Sequence, residues 1–240
     1  MLRIDLYAEI TCPWCFVGLH RLDKVLQDHF SDVPVDLRHR PVVLLPDAPA
    51  TGLYIPDLLL SRYGVTDPKV AFARPEAQAR ASGFALDLSR QLWTYPTQAA
   101  HALILAAAER GTQHRLAVAI TDAYFVDARN IGDVDLLADI AVGHGFDRQE
   151  ARAVASDPAA RKQVDEEVAR SAAAGIRSVP HFEFGSGVAI SGGRSEDEIV
   201  AAIREAISRR LDSSPPAPPS STPRSTAADA ASCAPCSPPR

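Results

Sequence analysis

Between Arg3 and Ala8 apolar and polar positions alternate, with Ile4, Leu6 and Tyr7 as strand formers, and this period of two predicts a buried strand. The period then changes. Leu19, Leu22, Val25 and Leu26 recur at helical spacing, which predicts an amphipathic helix with Arg21, Asp23, Lys24 and Asp28 on its solvent face. His20 is expected on that polar face as well. Residues 33–39, a run of Val, Pro, Asp, Leu, Arg and His, read as a second strand whose end, Arg38, His39 and Arg40, is polar. Strand, helix and strand within the first forty residues make a βαβ opening.

A proline-punctuated loop follows over residues 41–56, and beyond it the pattern turns helical for more than a hundred residues. Helices are expected over residues 71–81, 96–110, 113–128, 133–142, 147–156 and 157–174, punctuated by Gly111, Gly143 and Gly175. Strand signal returns at Val179–Phe184, turns through Gly185, Ser186 and Gly187, and continues in Val188–Ile190. A last helix, residues 195–211, opens with Ser195 and Glu198 in a capping-box spacing. The order β-α-β, helical block, β-β-α predicts a sheet domain (residues 1–40 and 176–211) carrying an all-helical insertion (residues 41–175). Residues 212–240 consist largely of Pro, Ser and Ala, cannot bury enough surface to offset their ordering entropy, and read as a disordered tail.

Composition narrows the function. Apolar residues make up 46% of the 240, enough for a sizeable core, and no repeat of solenoid length is present. A net charge of −5 and an aromatic content of 6% argue against nucleic acid as a partner. No apolar run approaches the roughly 20 residues of a membrane span, and the first ten residues, interrupted by Arg3 and Asp5, do not read as a secretory signal. A cytoplasmic location and no membrane partner are the expectations, while the oligomeric state is left open.

The four cysteines form two C-x-x-C pairs, Cys12/Cys15 and Cys233/Cys236. Cys12 falls between the first strand and the first helix. At a helix N-cap, with Pro13 in the first helical position, its sulfur would face unpaired N–H groups and the positive end of the helix dipole. That setting lowers a thiol pKa and favours the thiolate, the reactive form. Three positions on, Cys15 shares a helix face with Cys12 and lies one turn inward, suited to resolving a mixed disulfide that Cys12 has formed. A zinc site would need two further ligands at shorter spacing than the tail pair provides, so no metal is expected.

Cys12, Pro13, Trp14, Cys15, Phe16, Val17 and Gly18, read together, resemble the DsbA-like thioredoxin superfamily, and in particular its cytosolic FrnE-type branch. The resemblance spans residues 1–211. It implies an α/β, thioredoxin-like fold with a large all-helical insertion, and thiol–disulfide exchange on disulfide-containing proteins or small-molecule thiols. It implies no bound cofactor, with glutathione or a dithiol as electron donor, and a compartment that favours reductase or isomerase work. It also implies that Pro180 is a cis-proline facing Cys12 and Cys15, with Val179 offering its main chain to a bound peptide. The same superfamily holds glutathione-dependent isomerases and transferases, of the 2-hydroxychromene-2-carboxylate isomerase and kappa-class types. Those carry a serine at the Cys12 position and lack the resolving cysteine, so both thiols here weigh against that alternative.

Other residues remain open between two readings. Trp14 covers apolar surface at the rim or simply packs. Glu9 is a buried proton acceptor for Cys15 or a solvated strand-end carboxylate. His181 lies near Cys12 or points away. Cys233 and Cys236 have no helix to activate them, and three readings stand: an incidental pair, an accessory redox relay to Cys12/Cys15, or metal binding.

Overall fold

The computed structural model describes residues 1–212. Cys233 and Cys236, with every expectation for residues 213–240, lie outside the described residues. The first strand, β1 (Leu2–Ala8), is the spine of a four-stranded sheet. On one side β2 (Val35–Pro41) runs parallel to it, from Leu2 opposite Val35 to Ala8 opposite Pro41. A parallel neighbour requires a crossover, and α1 (Pro13–His29) supplies it. On the other side β5 (His181–Glu183) is antiparallel, with Leu6 opposite Phe182, and β6 (Ala189–Ser191) forms the edge. Helix α9 (Glu196–Asp212) returns to pack on α1. The expected capping box is present: Ser195 N donates to Glu198 at 2.8 Å, and Glu198 N donates back to the Ser195 hydroxyl at 3.3 Å.

Two apolar cores result. Leu6, Leu22, Phe182, Ile199 and Ile203 meet in the first, between sheet, α1 and α9. The second lies within the helical segment. It gathers α2 (Ile55–Tyr63), α3 (Pro68–Ala81), α4 (Gln98–Ala106), α5 (Gln113–Phe125), α6 (Val134–Val142) and α7 (Arg148–Ser156). Helix α8 (Pro158–Ala173) packs on α4 and β2 and leads back to the sheet. Phe16 joins α1 to this second core, with its ring centroid 5.0 Å from Phe125 and 5.8 Å from Phe84. One helix is therefore a wall of both cores.

Among the described residues aspartates set four of the α-helix starts, Asp67 among them. Asp133, Asp147 and Asp157 accept bonds from the N–H two residues on, at 2.8–2.9 Å, and open α6, α7 and α8. Other elements depart from expectation. Helix α2 begins inside the end of the expected loop and fills a stretch to which no particular helix was assigned, because Pro56 sits in its first turn instead of breaking it. Residues β3 (Leu53–Tyr54) and β4 (Trp93–Thr94) pair as a small second sheet. Helix α3 starts at Pro68, before the expected Ala71, since Asp67 caps it by accepting from Lys69 N.

The expected solvent face of α1 needs correction at two positions. Arg21 is 3% exposed. Its guanidinium donates to Ser82 Oγ (2.7 Å), Gln78 Oε1 (2.8 Å) and the carbonyls of Gln78 and Arg194, tying α1 to the end of α3 and to the loop before α9. His20 is half-buried between Phe16 and Phe84, with Nε2 3.2 Å from Asp122. His39, expected in a polar strand end, is buried as well. Among the described residues no helix is long and apolar enough to cross a membrane.

Candidate active site

Cys12 is the N-cap of α1, with extended backbone (φ −87°, ψ 119°) and Pro13 in the first turn. Both cysteines carry free thiols; Cys12 is half-buried and Cys15 is buried. The Cys12 carbonyl accepts from Cys15 N at 2.9 Å and Phe16 N at 3.1 Å, which closes the first turn and brings Cys15 beneath Cys12. The two sulfurs are driven apart in acidity. A hydrogen bond from the Cys15 thiol pulls the Cys12 pKa below its ordinary value, aided by the backbone N–H groups of Cys15 and Trp14 and opposed by burial and the charge of Glu9. Burial pushes the Cys15 thiol well above its ordinary value, and the neighbouring Cys12 sulfur adds to the shift. An accessible, acidified nucleophile and a less acidic partner one turn inward are what sequential attack and resolution need.

The Val179–Pro180 peptide bond is cis, and Pro180 is buried against α1 at Gly18. A β-carbon on Gly18 would lie 2.8 Å from Pro180 Cγ and 3.2 Å from Phe182 Cζ, so only glycine lets this loop sit so close to the helix. Val179 is half-buried beside it. The His181 ring is engaged by Ser191 Oγ, lies 3.6 Å from Glu183 and packs edge-on to Tyr7. The groups that act on the Cys12 sulfur are instead Cys15, Trp14 and Glu9.

Trp14 is half-buried, with the Arg74 guanidinium 5.3 Å above its ring and Gly193 packed against its face. A β-carbon at Gly193 would clash with Trp14 Cε3 and Cζ3. Glu9 is buried, 1% exposed, and is not a solvated strand end. Its Oε2 accepts from Leu44 N at 2.9 Å and Thr97 Oγ1 at 3.3 Å, and its Oε1 lies 3.4 Å from His101 Nε2. Beside Cys12 a pocket of about 220 Å³ runs between Pro13, Leu58, Leu59, Phe72 and Phe125, with Arg62 and Tyr63 among its lining. His101, Thr97, Arg74, Gly18 and Gly193 were not singled out as site residues from sequence. Their relevance comes from contacts between distant segments, although Gly18 closes the motif that carried the family resemblance. Among the described residues no cluster of three or more His, Cys, Asp or Glu is arranged to hold a metal ion.

Comparison with known proteins bears on these features. No curated protein matches the chain significantly. Among solved structures, a probable DsbA oxidoreductase from Streptomyces coelicolor is 29% identical, with a TM-score of 0.78 over 87% of this chain and 91% of that one. A 2-hydroxychromene-2-carboxylate isomerase shares the fold at 17% identity, with a TM-score of 0.68 over 89% of this chain and all of its own. The cytosolic disulfide reductase DsbM from Pseudomonas aeruginosa, solved with glutathione, shares it at 17% identity, with a TM-score of 0.60 over 86% of this chain and all of its own. The fold is the DsbA-like thioredoxin fold with a helical insertion, and the model of the DSBA-like thioredoxin domain matches residues 3–204. The chain thus belongs to the DSBA-like thioredoxin domain family.

Proposed function

We propose that the protein is a thiol–disulfide oxidoreductase in which Cys12 attacks a substrate disulfide and Cys15 resolves the mixed disulfide. The observation that carries this reading is the opposed acidity of the two sulfurs on one helical turn, Cys12 drawn down and Cys15 pushed up. Pro180, packed on the cysteine-bearing helix at Gly18, and the main chain of Val179 receive the substrate as an added strand. The apolar pocket beside Cys12 takes a large apolar side chain next to the substrate cysteine, and Trp14 and His181 border the docking surface. Reductase or isomerase work in the cytoplasm is the favoured direction, with a dithiol or glutathione as donor. The glutathione bound to the DsbM relative supports glutathione as that donor. The run from Cys12 to Gly18 supports placement in the FrnE-type branch. Two separate cores support the division into a thioredoxin-like unit, residues 1–40 and 176–211, and an insertion, residues 41–175.

One second reading has an observation in its favour. Likeness to the 2-hydroxychromene-2-carboxylate isomerase supports glutathione-dependent isomerisation on the same scaffold. The paired thiols weigh against it. Cys233/Cys236 remain a candidate relay on the strength of their C-x-x-C spacing alone.

The test is a full-length Cys15→Ser variant incubated with a disulfide-bonded protein. Disulfide-linked adducts on Cys12 are expected, together with alkylation of Cys12 by iodoacetamide whose pH midpoint lies below that of an ordinary thiol. Absence of adducts, with Cys12 alkylated on an ordinary thiol profile, overturns the reading.

A further inference from the structure

Resolution by Cys15 poses a proton problem. Its thiol is buried, and it must lose its proton while a substrate sits on Cys12. Cys15 also lines a small cavity on its inner side, shared with Glu9, His39, His101 and Thr121, with about 20 Å³ open to water centres. One water needs roughly 10–15 Å³ on that measure. Two buried polar atoms of this cavity's lining residues, Glu9 Oε1 and His101 Nε2, lie 3.4 Å apart, and neither has a hydrogen-bond partner. Buried polar atoms without partners are rare, and a water they share satisfies both.

His39, on β2, lines the same cavity and leads out of it. Its Nε2 is 2.9 Å from His114 Nδ1, and His114 Nε2 is 2.6 Å from Asp23 Oδ1. With Asp23 ionised and both imidazoles neutral, His114 carries its proton on Nε2 and its Nδ1 accepts from His39 Nε2–H. Both donors therefore point outward. Asp23, His39 and His114 line a second, larger cleft of about 760 Å³, where the Asp23 side chain is 39% exposed. Asp23 lies eleven positions beyond Cys12, about 16 Å along the helix axis at 1.5 Å per residue.

We propose that Glu9, His101, a cavity water bonded to both and the His39–His114–Asp23 chain form a proton outlet for Cys15, leading away from the bound substrate. The proposal rests on the reading that Cys15 resolves a mixed disulfide on Cys12. Cys15 gives its proton to the cavity, and its thiolate attacks the Cys12 sulfur. The Cys12–Cys15 bond forms and the Cys12–substrate bond breaks. The substrate sulfur leaves with the electron pair and takes a proton from solvent, so the cysteine pair is oxidised by two electrons and the substrate disulfide is reduced. The Cys15 proton reaches the His39 ring, the Nε2 proton of His39 passes to His114, and that of His114 passes to Asp23 and solvent.

The other charged and hydroxyl groups facing this cavity have partners of their own. Arg40 pairs with Asp5 at 2.7 Å and approaches Glu167 at 3.9 Å. Thr121 donates to the Ala117 carbonyl, and Thr97 donates to Glu9 Oε2. Cys12 is not among the residues lining this cavity. Burial, followed by the charges of His114 and His101, holds His39 well below its ordinary pKa, so it receives a proton only in transit.

The probe is 5,5′-dithiobis(2-nitrobenzoate), used on full-length protein with Cys233 and Cys236 replaced by serine. Attack by Cys12 releases the first chromophore, and attack by Cys15 releases the second. In His114→Ala the ratio of second-phase to first-phase rate falls at least about tenfold, within the range of general acid–base effects. Imidazole in the buffer restores it, because a diffusible base replaces the missing ring in the open cleft. His101→Gln moves the pH profile of the second phase, and Asp23→Asn lowers the ratio as His114→Ala does. An unchanged ratio in His114→Ala, or a lowered ratio that imidazole leaves untouched, overturns the outlet. A parent protein without a first phase overturns the Cys12 chemistry instead.

Discussion

Gly18→Ala tests how the cis-proline loop is held against the cysteine-bearing helix. In a helix interior alanine is worth about 1 kcal/mol over glycine, so propensity alone predicts a more stable protein. The added β-carbon, however, meets Pro180 Cγ at 2.8 Å, Phe182 Cζ at 3.2 Å and Pro180 Cβ at 3.3 Å. None of these is the loose end of a flexible chain. Pro180 is ring-closed onto its backbone, and Phe182 is wholly buried in the sheet core. Overpacking of this kind costs about 1–3 kcal/mol, which leaves a net loss of up to about 2 kcal/mol. Urea unfolding of the reduced protein measures it, with Gly143→Ala as the control. Gly143 has helical backbone (φ −66°, ψ −5°), and its nearest contact for a β-carbon is 3.7 Å, so that variant is expected to be neutral or slightly stabilised. Gly18→Ala should also slow attack by Cys12 on a peptide disulfide, because Pro180 is pushed away from the site. If Gly18→Ala is as stable as Gly143→Ala and turns over at the parent rate, the reasoning about this contact is wrong.

Arg21→Ala strands the acceptors of Ser82, Gln78 and Arg194 and is expected to cost on the order of 3 kcal/mol by urea melts. A loss within error of zero would show that the clamp between α1, α3 and the loop before α9 is idle. His39 governs acid stability. Its pKa is depressed in the fold, so below the ordinary value of about 6.5 the unfolded chain binds a proton that the fold does not. Stability therefore falls as the pH drops from about 6.5 toward the lowered folded value, by up to about 1.4 kcal/mol per pH unit. His39→Gln should show a shallower loss between pH 7 and 5.5, and an identical slope would refute the assignment.

The sequence was informative where a local rule acts within a few residues. Cys12 and Pro13 announce a cap because a strand pattern stops and a helix pattern begins around them. Asp133, Asp147 and Asp157 mark helix starts by the same short-range chemistry. Pro180 was picked out through family resemblance, since nothing in its neighbours specifies a cis bond. Arg21 was misplaced because its acceptors lie 61 and 173 positions away, and periodicity assigns a charge to solvent unless a distant partner is known. The path beneath Cys15 was hidden for the same reason. Glu9 was open as a proton acceptor for Cys15, but His39, His101 and His114 come from other segments that meet it only after folding, and each of them taken alone reads as an ordinary polar residue.

The pocket beside Cys12 has a further consequence. Apart from Thr11, Cys12 and Pro13, its lining runs from Leu44 to Phe125, whereas the reacting sulfurs and Pro180 come from segments outside that stretch. On the proposed function, selectivity and reactivity are thus written in different parts of the chain. Exchanging pocket residues on α2 and α3 between relatives would change which disulfides are accepted while leaving the sulfur chemistry where it is. Under that proposal the protein is a chassis for building oxidoreductases of chosen specificity.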